Sequence, residues 1–235
     1  MKIDSFTHRA RLGSAGLALI AAAILFAAAA PARAEQPTIQ ADDRILGDPK
    51  APITIFEYAS LTCPHCAAFE EETFPKLKSE WIDTGKAKLI YRDFPLDDSA
   101  VLAATVARCL PPERFFPFIE TLFKTQRNWV YRESADSKVA LSRTARLAGM
   151  SPEQFNQCTS DQKLSDAVVA SRLVASNRYG VDSTPTFFVN GAKVTGDLPY
   201  SQFVKYLGAT SGQGAAPAEA RGDGLMDRIK SWFGG

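Results

Sequence analysis

The sequence predicts an α/β fold interrupted by an all-helical block, and three observations carry that prediction. Ile53 to Ser60 (ITIFEYAS) and Lys86 to Phe94 (KAKLIYRDF) are β-rich runs separated by a stretch with helical spacing, a β-α-β order that builds parallel pairing. From Ser99 to Tyr179 the strand signal disappears and apolar residues recur three and four positions apart. Two short β-rich runs then flank Asn190-Gly191, a hairpin signal.

The 235 residues are 46% hydrophobic and 23% charged, an ordinary globular composition that argues against disorder, collagen and a multi-span membrane protein. Met1 to Arg11 is basic and Leu12 to Ala30 is uncharged. Ala32-Arg33-Ala34 then places small residues where a signal peptidase accepts them. Residues 1–34 are therefore expected to be a cleaved signal peptide, with the mature chain starting at Glu35. An uncleaved anchor is the alternative, because the apolar run approaches the roughly 20 residues needed to span a bilayer. Either way the body is exported, to the periplasm, an oxidising space where paired cysteines persist as disulfides. The leader holds four bases and one acid, which leaves 23 bases against 25 acids in the body. A weakly acidic body without a basic run has little to offer a phosphate backbone, so nucleic-acid binding is not expected.

Along the mature chain, residues 35 to 52 contain Pro37, Gly47, Pro49 and Pro52 and suit an irregular lead-in to the first strand. From Pro64 the pattern turns helical, with Phe69, Thr73, Leu77 and Trp81 stepping by four. Pro75 interrupts this stripe and predicts a kink near Glu71 to Pro75. In the helical block, Leu102, Val106, Cys109 and Leu110 form one stripe. Pro112 opens the next helix, which carries Phe115, Ile119, Leu122 and Phe123. A helix from about Lys138 to Ala148 ends at Gly149, and Ser151-Pro152-Glu153-Gln154 offers a capping box for another. The last runs from about Gln162 to Arg178 and ends at Gly180. At about 80 residues the block exceeds what a crossover needs and is expected to form its own small core. Thr186 to Val189 and Lys193 to Thr195 make the antiparallel pair, followed by a short helix from Tyr200 to Leu207. Residues 209–235 read as a linker and a short amphipathic helix, with Leu225, Ile229, Trp232 and Phe233 on one face. That face would dock on the body or fray, or meet a membrane or partner.

Chemistry concentrates at Cys63-Pro64-His65-Cys66, where a strand ends and a helix begins. Cys63, at the helix start, would be the exposed sulfur, and Cys66, one turn in, the shielded one. Unpaired N–H groups and the positive end of the helix dipole favour a thiolate at Cys63, and a protonated His65 would add a further donor or charge. Stabilising the thiolate stabilises the reduced pair and makes the disulfide a stronger oxidant. Two other readings compete with redox activity. A zinc site would have to recruit Cys109 and Cys158, and a purely structural bridge here would close too short a loop to stabilise much.

The run FEYASLTCPHCAAFEE, followed after the helical stretch by YGVDSTPTFFVNG, resembles the DsbA family of thiol:disulfide oxidoreductases over about residues 45 to 208. The resemblance implies a thioredoxin-like fold with an inserted all-helical domain: a first segment at 53–97, the insertion at 98–179 and a second segment at 180–208. It implies that Cys63 attacks, Cys66 resolves, His65 tunes the pair, and Pro185 is a cis-proline beside the disulfide. Without the family, trans would be favoured at Thr184-Pro185. By the same analogy, the Thr184 backbone would pair with an extended substrate peptide. Threonine at this position also occurs in isomerases and reductases. The implied substrates are unfolded or reduced secreted proteins, and the implied reoxidant is a quinone-linked membrane partner of the DsbB type. No bound organic cofactor or metal is required. No separate N-terminal dimerisation domain is visible, which favours a monomer over the dimeric isomerases. A reductase or isomerase, and more distantly a noncatalytic chaperone or adaptor, are the alternatives.

Glu57 and Glu70 match acidic positions that the family places near the active site. A Glu57 buried behind Cys66 could relay protons, with its pKa raised by desolvation; strand alternation alone equally allows it to be exposed at an edge. Glu70 reads as a solvated helix charge. Cys109 and Cys158, 49 positions apart, are either a structural bridge or two buried free thiols.

Overall fold

The computed structural model describes residues 35–208. The expected signal peptide at 1–34 and the expected linker and helix at 209–235 lie outside the described residues. Among the described residues, five strands form one sheet: β1 (Arg44–Leu46), β2 (Ile53–Ala59), β3 (Ala87–Asp93), β4 (Thr186–Val189) and β5 (Ala192–Thr195), in the order β1-β3-β2-β4-β5. β2 and β3 are parallel, as the β-α-β order predicts, and every other pair is antiparallel. The mixed sheet with its helices gives the α/β architecture that the sequence predicts. β1 corrects the irregular lead-in: Arg44 pairs with Tyr91 and Leu46 with Leu89. Three residues are too short for a periodic signal, and this strand exists because the β3 edge is available to it. Gly47 follows at φ +95°, where an added Cβ would sit 2.8 Å from the Ile82 side chain.

The CPHC helix runs as α1 (Pro64–Ala68), a π-turn (Phe69–Thr73), α2 (Phe74–Leu77) and a second π-turn (Lys78–Ile82). Pro75 acts through hydrogen-bond register: the Phe74 N–H reaches back five residues to the Phe69 carbonyl. The wider turn carries an extra residue inward, so Phe69, Glu70 and Thr73 are all buried. The second π-turn likewise buries Ile82 and leaves Trp81 half-buried. Phe69 meets Phe187 at 4.6 Å and Phe203 at 5.6 Å between ring centroids. These contacts clamp the π-turn between β4 and the helix α8 (Tyr200–Gly208).

Between β3 and β4 lie α3 (Asp98–Cys109), α4 (Pro112–Lys124), a 3-10 turn (Gln126–Asn128), α5 (Ser134–Leu147), α6 (Pro152–Thr159) and α7 (Gln162–Tyr179). Local chemistry sets their ends. Ser151 accepts from the Gln154 N–H at 3.2 Å while the Gln154 side chain accepts from the Ser151 N–H at 2.8 Å, the reciprocal capping box. Gly180 closes α7 in the left-handed region at φ 64°. The separate core expected for this block is not what the packing shows. Ala103, Val106, Phe115, Leu122 and Leu141 belong to the same buried cluster as Ile55, Leu89, Tyr91 and Phe187 of the sheet. The sheet offers an apolar face, and α3, α4 and α5 contribute side chains to the one cluster that covers it. A smaller cluster on the opposite face joins Phe56, Tyr58 and Phe188 to Ala175 and Tyr179 of α7.

Cys109 and Cys158 are bonded to each other, with their Cα atoms 6.1 Å apart. On chain-entropy grounds, closing a loop of that length contributes about 4 kcal/mol. The bridge also consumes both sulfurs that a zinc site at the CPHC motif would have needed.

Candidate active site

The site is built where β2 ends. The Cys63 N–H donates to the Ser60 carbonyl at 3.0 Å, and Cys63 takes the extended N-cap conformation that lets Pro64 start the helix, a position where a missing N–H costs nothing. Cys66 falls on the inner side of the first turn and is 0% exposed. Cys63 retains only 5% exposure, which corrects the expectation of an exposed sulfur. The cis Thr184-Pro185 segment lies over it, with the Thr184 carbonyl 3.4 Å from Cys63 Sγ. Pro64 and His65 are the exposed members of the motif.

Electrostatics separate the two thiols. A hydrogen bond from Cys66 lowers the Cys63 pKa from its ordinary value near 9 to about 5, outweighing the opposing effect of burial; Thr184 and the backbone N–H groups of Cys66 and His65 assist. Burial, together with the neighbouring Cys63, pushes Cys66 well above 9. One sulfur is therefore an anion at neutral pH and the other a thiol. His65 places Nδ1 3.1 Å from the Asp197 carboxylate, and that hydrogen bond raises its pKa, extending the pH range over which an imidazolium stands beside Cys63.

Glu57 is 0% exposed. β2 is an interior strand between β3 and β4, which removes the edge-exposed reading, and burial pushes the Glu57 carboxyl up to about 8. Glu70 is 5% exposed, which corrects the solvated-charge reading; the π-turn turns it inward. Burial, then the proximity of Glu57 and Glu120, holds its pKa well above the usual carboxylate range.

Three residues missed from sequence fix the active-site loop. Gln126 donates through Nε2 to the carbonyls of Leu61 (2.9 Å) and Cys63 (3.0 Å). Asp97 caps α3 by accepting from the Ala100 N–H at 2.8 Å and also accepts from the Thr62 hydroxyl at 2.7 Å. Asp197 holds His65. Asp97 sits just before a helical run and was recognisable as an N-cap; Gln126 and Asp197 act across 63 and 132 positions and leave no local signal. Gln126→Ala removes two hydrogen bonds and leaves two carbonyls short of a donor. It is expected to cost about 1–3 kcal/mol of stability by urea denaturation and to broaden the Cys63 thiolate titration as the loop loosens. An unchanged denaturation midpoint would show that the clamp carries no energy.

Comparison with known proteins agrees with this arrangement. A family model described as Thioredoxin matches residues 40–209. The crystal structure of Wolbachia pipientis alpha-DsbA1 is 37% identical, with a TM-score of 0.69 over 73% of this chain and 92% of that one. BdbD of Bacillus subtilis, at 23% identity and a TM-score of 0.66 over 75% and 96%, shares the fold. A provisionally named protein-disulfide oxidoreductase of Rickettsia typhi is 33% identical over 156 residues, 66% of this chain and 57% of that protein. The chain thus spans little more than half the length of this curated relative. Among the described residues, no helix is long and apolar enough to cross a membrane. With the matching fold, the CPHC turn at the end of β2 and Thr184-Pro185 packed against it, the chain belongs to the DsbA family of thioredoxin-fold proteins.

Proposed function

We propose that this protein is an exported thiol:disulfide oxidoreductase that donates a Cys63-Cys66 disulfide to reduced secreted proteins in the periplasm. The observation that carries the reading is the divided pair: a Cys63 thiol lowered to about 5 beside a fully buried Cys66 held well above 9. A substrate thiolate attacks Cys63 Sγ of the oxidised pair, and the electrons of the broken S–S bond leave on Cys66 Sγ. Because a buried thiolate there is disfavoured, Cys66 must gain a proton, and Glu57, protonated up to about pH 8, supplies it. A second substrate thiolate then attacks the substrate sulfur of the mixed disulfide and expels Cys63 as a stabilised thiolate. The main chain at Thr184 supports an extended substrate beside Cys63, and His65, held by Asp197, tunes the pair. A quinone-linked membrane partner of the DsbB type would reoxidise the enzyme, which acts as a monomer.

Oxidised protein mixed with a reduced, unfolded secreted protein should accelerate disulfide formation well above a glutathione background, losing one Cys63-Cys66 disulfide for each substrate disulfide formed. A rate equal to that background would remove the reading.

A further inference from the structure

Beneath the redox pair, three polar atoms have no hydrogen-bond partner among the described residues: both carboxyl oxygens of Glu57 and the hydroxyl of Tyr91. Glu57 and Tyr91 are register partners on the parallel strands β2 and β3, so their side chains leave the same face of the sheet. Both residues are 0% exposed. Their surroundings on that face are largely apolar, with Ile55, Ala59, Leu89 and Phe187 in the same cluster. The Tyr91 ring is fixed from the side by Phe115, edge-on at 5.8 Å. Buried polar groups are satisfied in the great majority of cases. A carboxyl and a hydroxyl in register, neither bonded to the other, have the chemistry of a shared water site, since an internal water needs about two to four polar partners.

We propose that Glu57 and Tyr91 hold one internal water between them, and that Tyr91 is a positioning residue which steadies the Glu57 carboxylate formed each time a proton passes to Cys66. The inference rests on the proton delivery described above. When the Cys63–Cys66 bond breaks, its electron pair goes to Cys66 Sγ, the Glu57 proton follows, and a carboxylate remains in a largely apolar interior. Tyr91 donates its O–H to the water, and the water donates to the carboxylate. Burial keeps the Tyr91 hydroxyl protonated, so it serves as a fixed donor and does not compete for the proton. Reoxidation runs the transfer backwards and returns the proton to Glu57. The other groups acting on this space are Asp93 on β3, Cys66 on α1, Glu70 on the π-turn and Arg108 on α3, with Glu120 and Lys124 of α4 acting on Glu70. Asp93 is already engaged by Arg108. Among these groups, Tyr91 alone pairs an unbonded hydroxyl with the Glu57 oxygens.

The test is the pH dependence of the Cys63-Cys66 reduction potential in the wild type, Tyr91→Phe, Glu57→Gln and the double variant. Tyr91→Phe keeps the ring and removes the donor, so the inflection due to Glu57 should move to higher pH by about one unit. In Glu57→Gln that inflection disappears, and adding Tyr91→Phe should change nothing further. An inflection left in place by Tyr91→Phe, or an equal shift in the Glu57→Gln background, overturns the proposal. A high-resolution crystal structure of the wild type should show a water within hydrogen-bond reach of both side chains, and an empty site would overturn it as well. The absolute potential separately decides the direction of disulfide transfer. A strongly reducing value would therefore end the oxidase reading and leave the Tyr91 coupling to be judged on the inflection alone.

Discussion

Replacing Cys63 with serine is expected to lower catalysed disulfide transfer by at least about a thousandfold, to the background of uncatalysed exchange. A serine hydroxyl can neither form the mixed disulfide nor leave as a stabilised anion. Cys66→Ser should behave differently. It leaves Cys63 reactive but removes the sulfur that resolves its adducts, so a covalent enzyme-substrate disulfide should accumulate and be visible by intact-mass measurement and on non-reducing gels. The geometry sets this asymmetry, because Cys63 keeps the pair's only open edge while Cys66 has none. Cys66→Ala should also raise the Cys63 pKa, since the hydrogen bond from Cys66 is the largest cause of its depression. Adduct accumulating on Cys63→Ser and not on Cys66→Ser would reverse the roles of the two sulfurs.

Glu57→Gln is expected to stabilise the reduced protein by about 3 kcal/mol at pH 7 while slowing the step that protonates Cys66. The buried carboxyl is raised from 4.5 to about 8, so between those values the folded chain binds a proton that the unfolded chain releases. Stability that is fully present below pH 4.5 is therefore lost as pH rises through 8. Glutamine has no proton to lose, and its stability curve should be flatter over this window. Urea denaturation of both proteins at pH 5 and pH 8 reads the effect: the advantage of the variant should be small at pH 5 and largest at pH 8. An equal difference at both values would mean that Glu57 does not hold a proton in the folded state. The gain in stability at the expense of turnover is the pattern expected where a strained group serves the reaction.

How much was readable beforehand depended on the range of the interaction. The parallel β2-β3 pair, the Ser151 capping box, the glycine ending α7 and the hairpin at Asn190-Gly191 all rest on residues within a few positions of one another, and periodicity or turn chemistry exposes them. Glu70 was misread because helical spacing assumes 3.6 residues per turn, whereas Pro75 forces a wider turn that carries it into the core. β1 was missed because it is three residues long and owes its existence to β3. The separate core expected for the helical block failed for a similar reason: length announces that the helices must bury apolar surface, not which surface they find. At the active site, the motif named Cys63, His65 and Cys66, but the partners that set their behaviour come from elsewhere in the chain. Thr184, Asp197 and Gln126 reach the loop from 121, 132 and 63 positions away. Only Thr184 among these was found, through the family resemblance.

The central claim is that the protein stabilises the reduced pair through the Cys63 thiolate and so makes its disulfide an oxidant. Each unit by which that thiol falls below ambient pH favours the reduced form by about 1.4 kcal/mol, or about 30 mV. A pKa of about 5 therefore adds up to about 60 mV at pH 7, less what solvent screens at the sulfur's open edge. The direct measurement is the equilibrium reduction potential of Cys63-Cys66 at pH 7 against glutathione buffers of known ratio. The expected result is a potential well above the roughly −270 mV of thioredoxin; a value at or below that of thioredoxin would contradict the assignment of this protein as a disulfide donor.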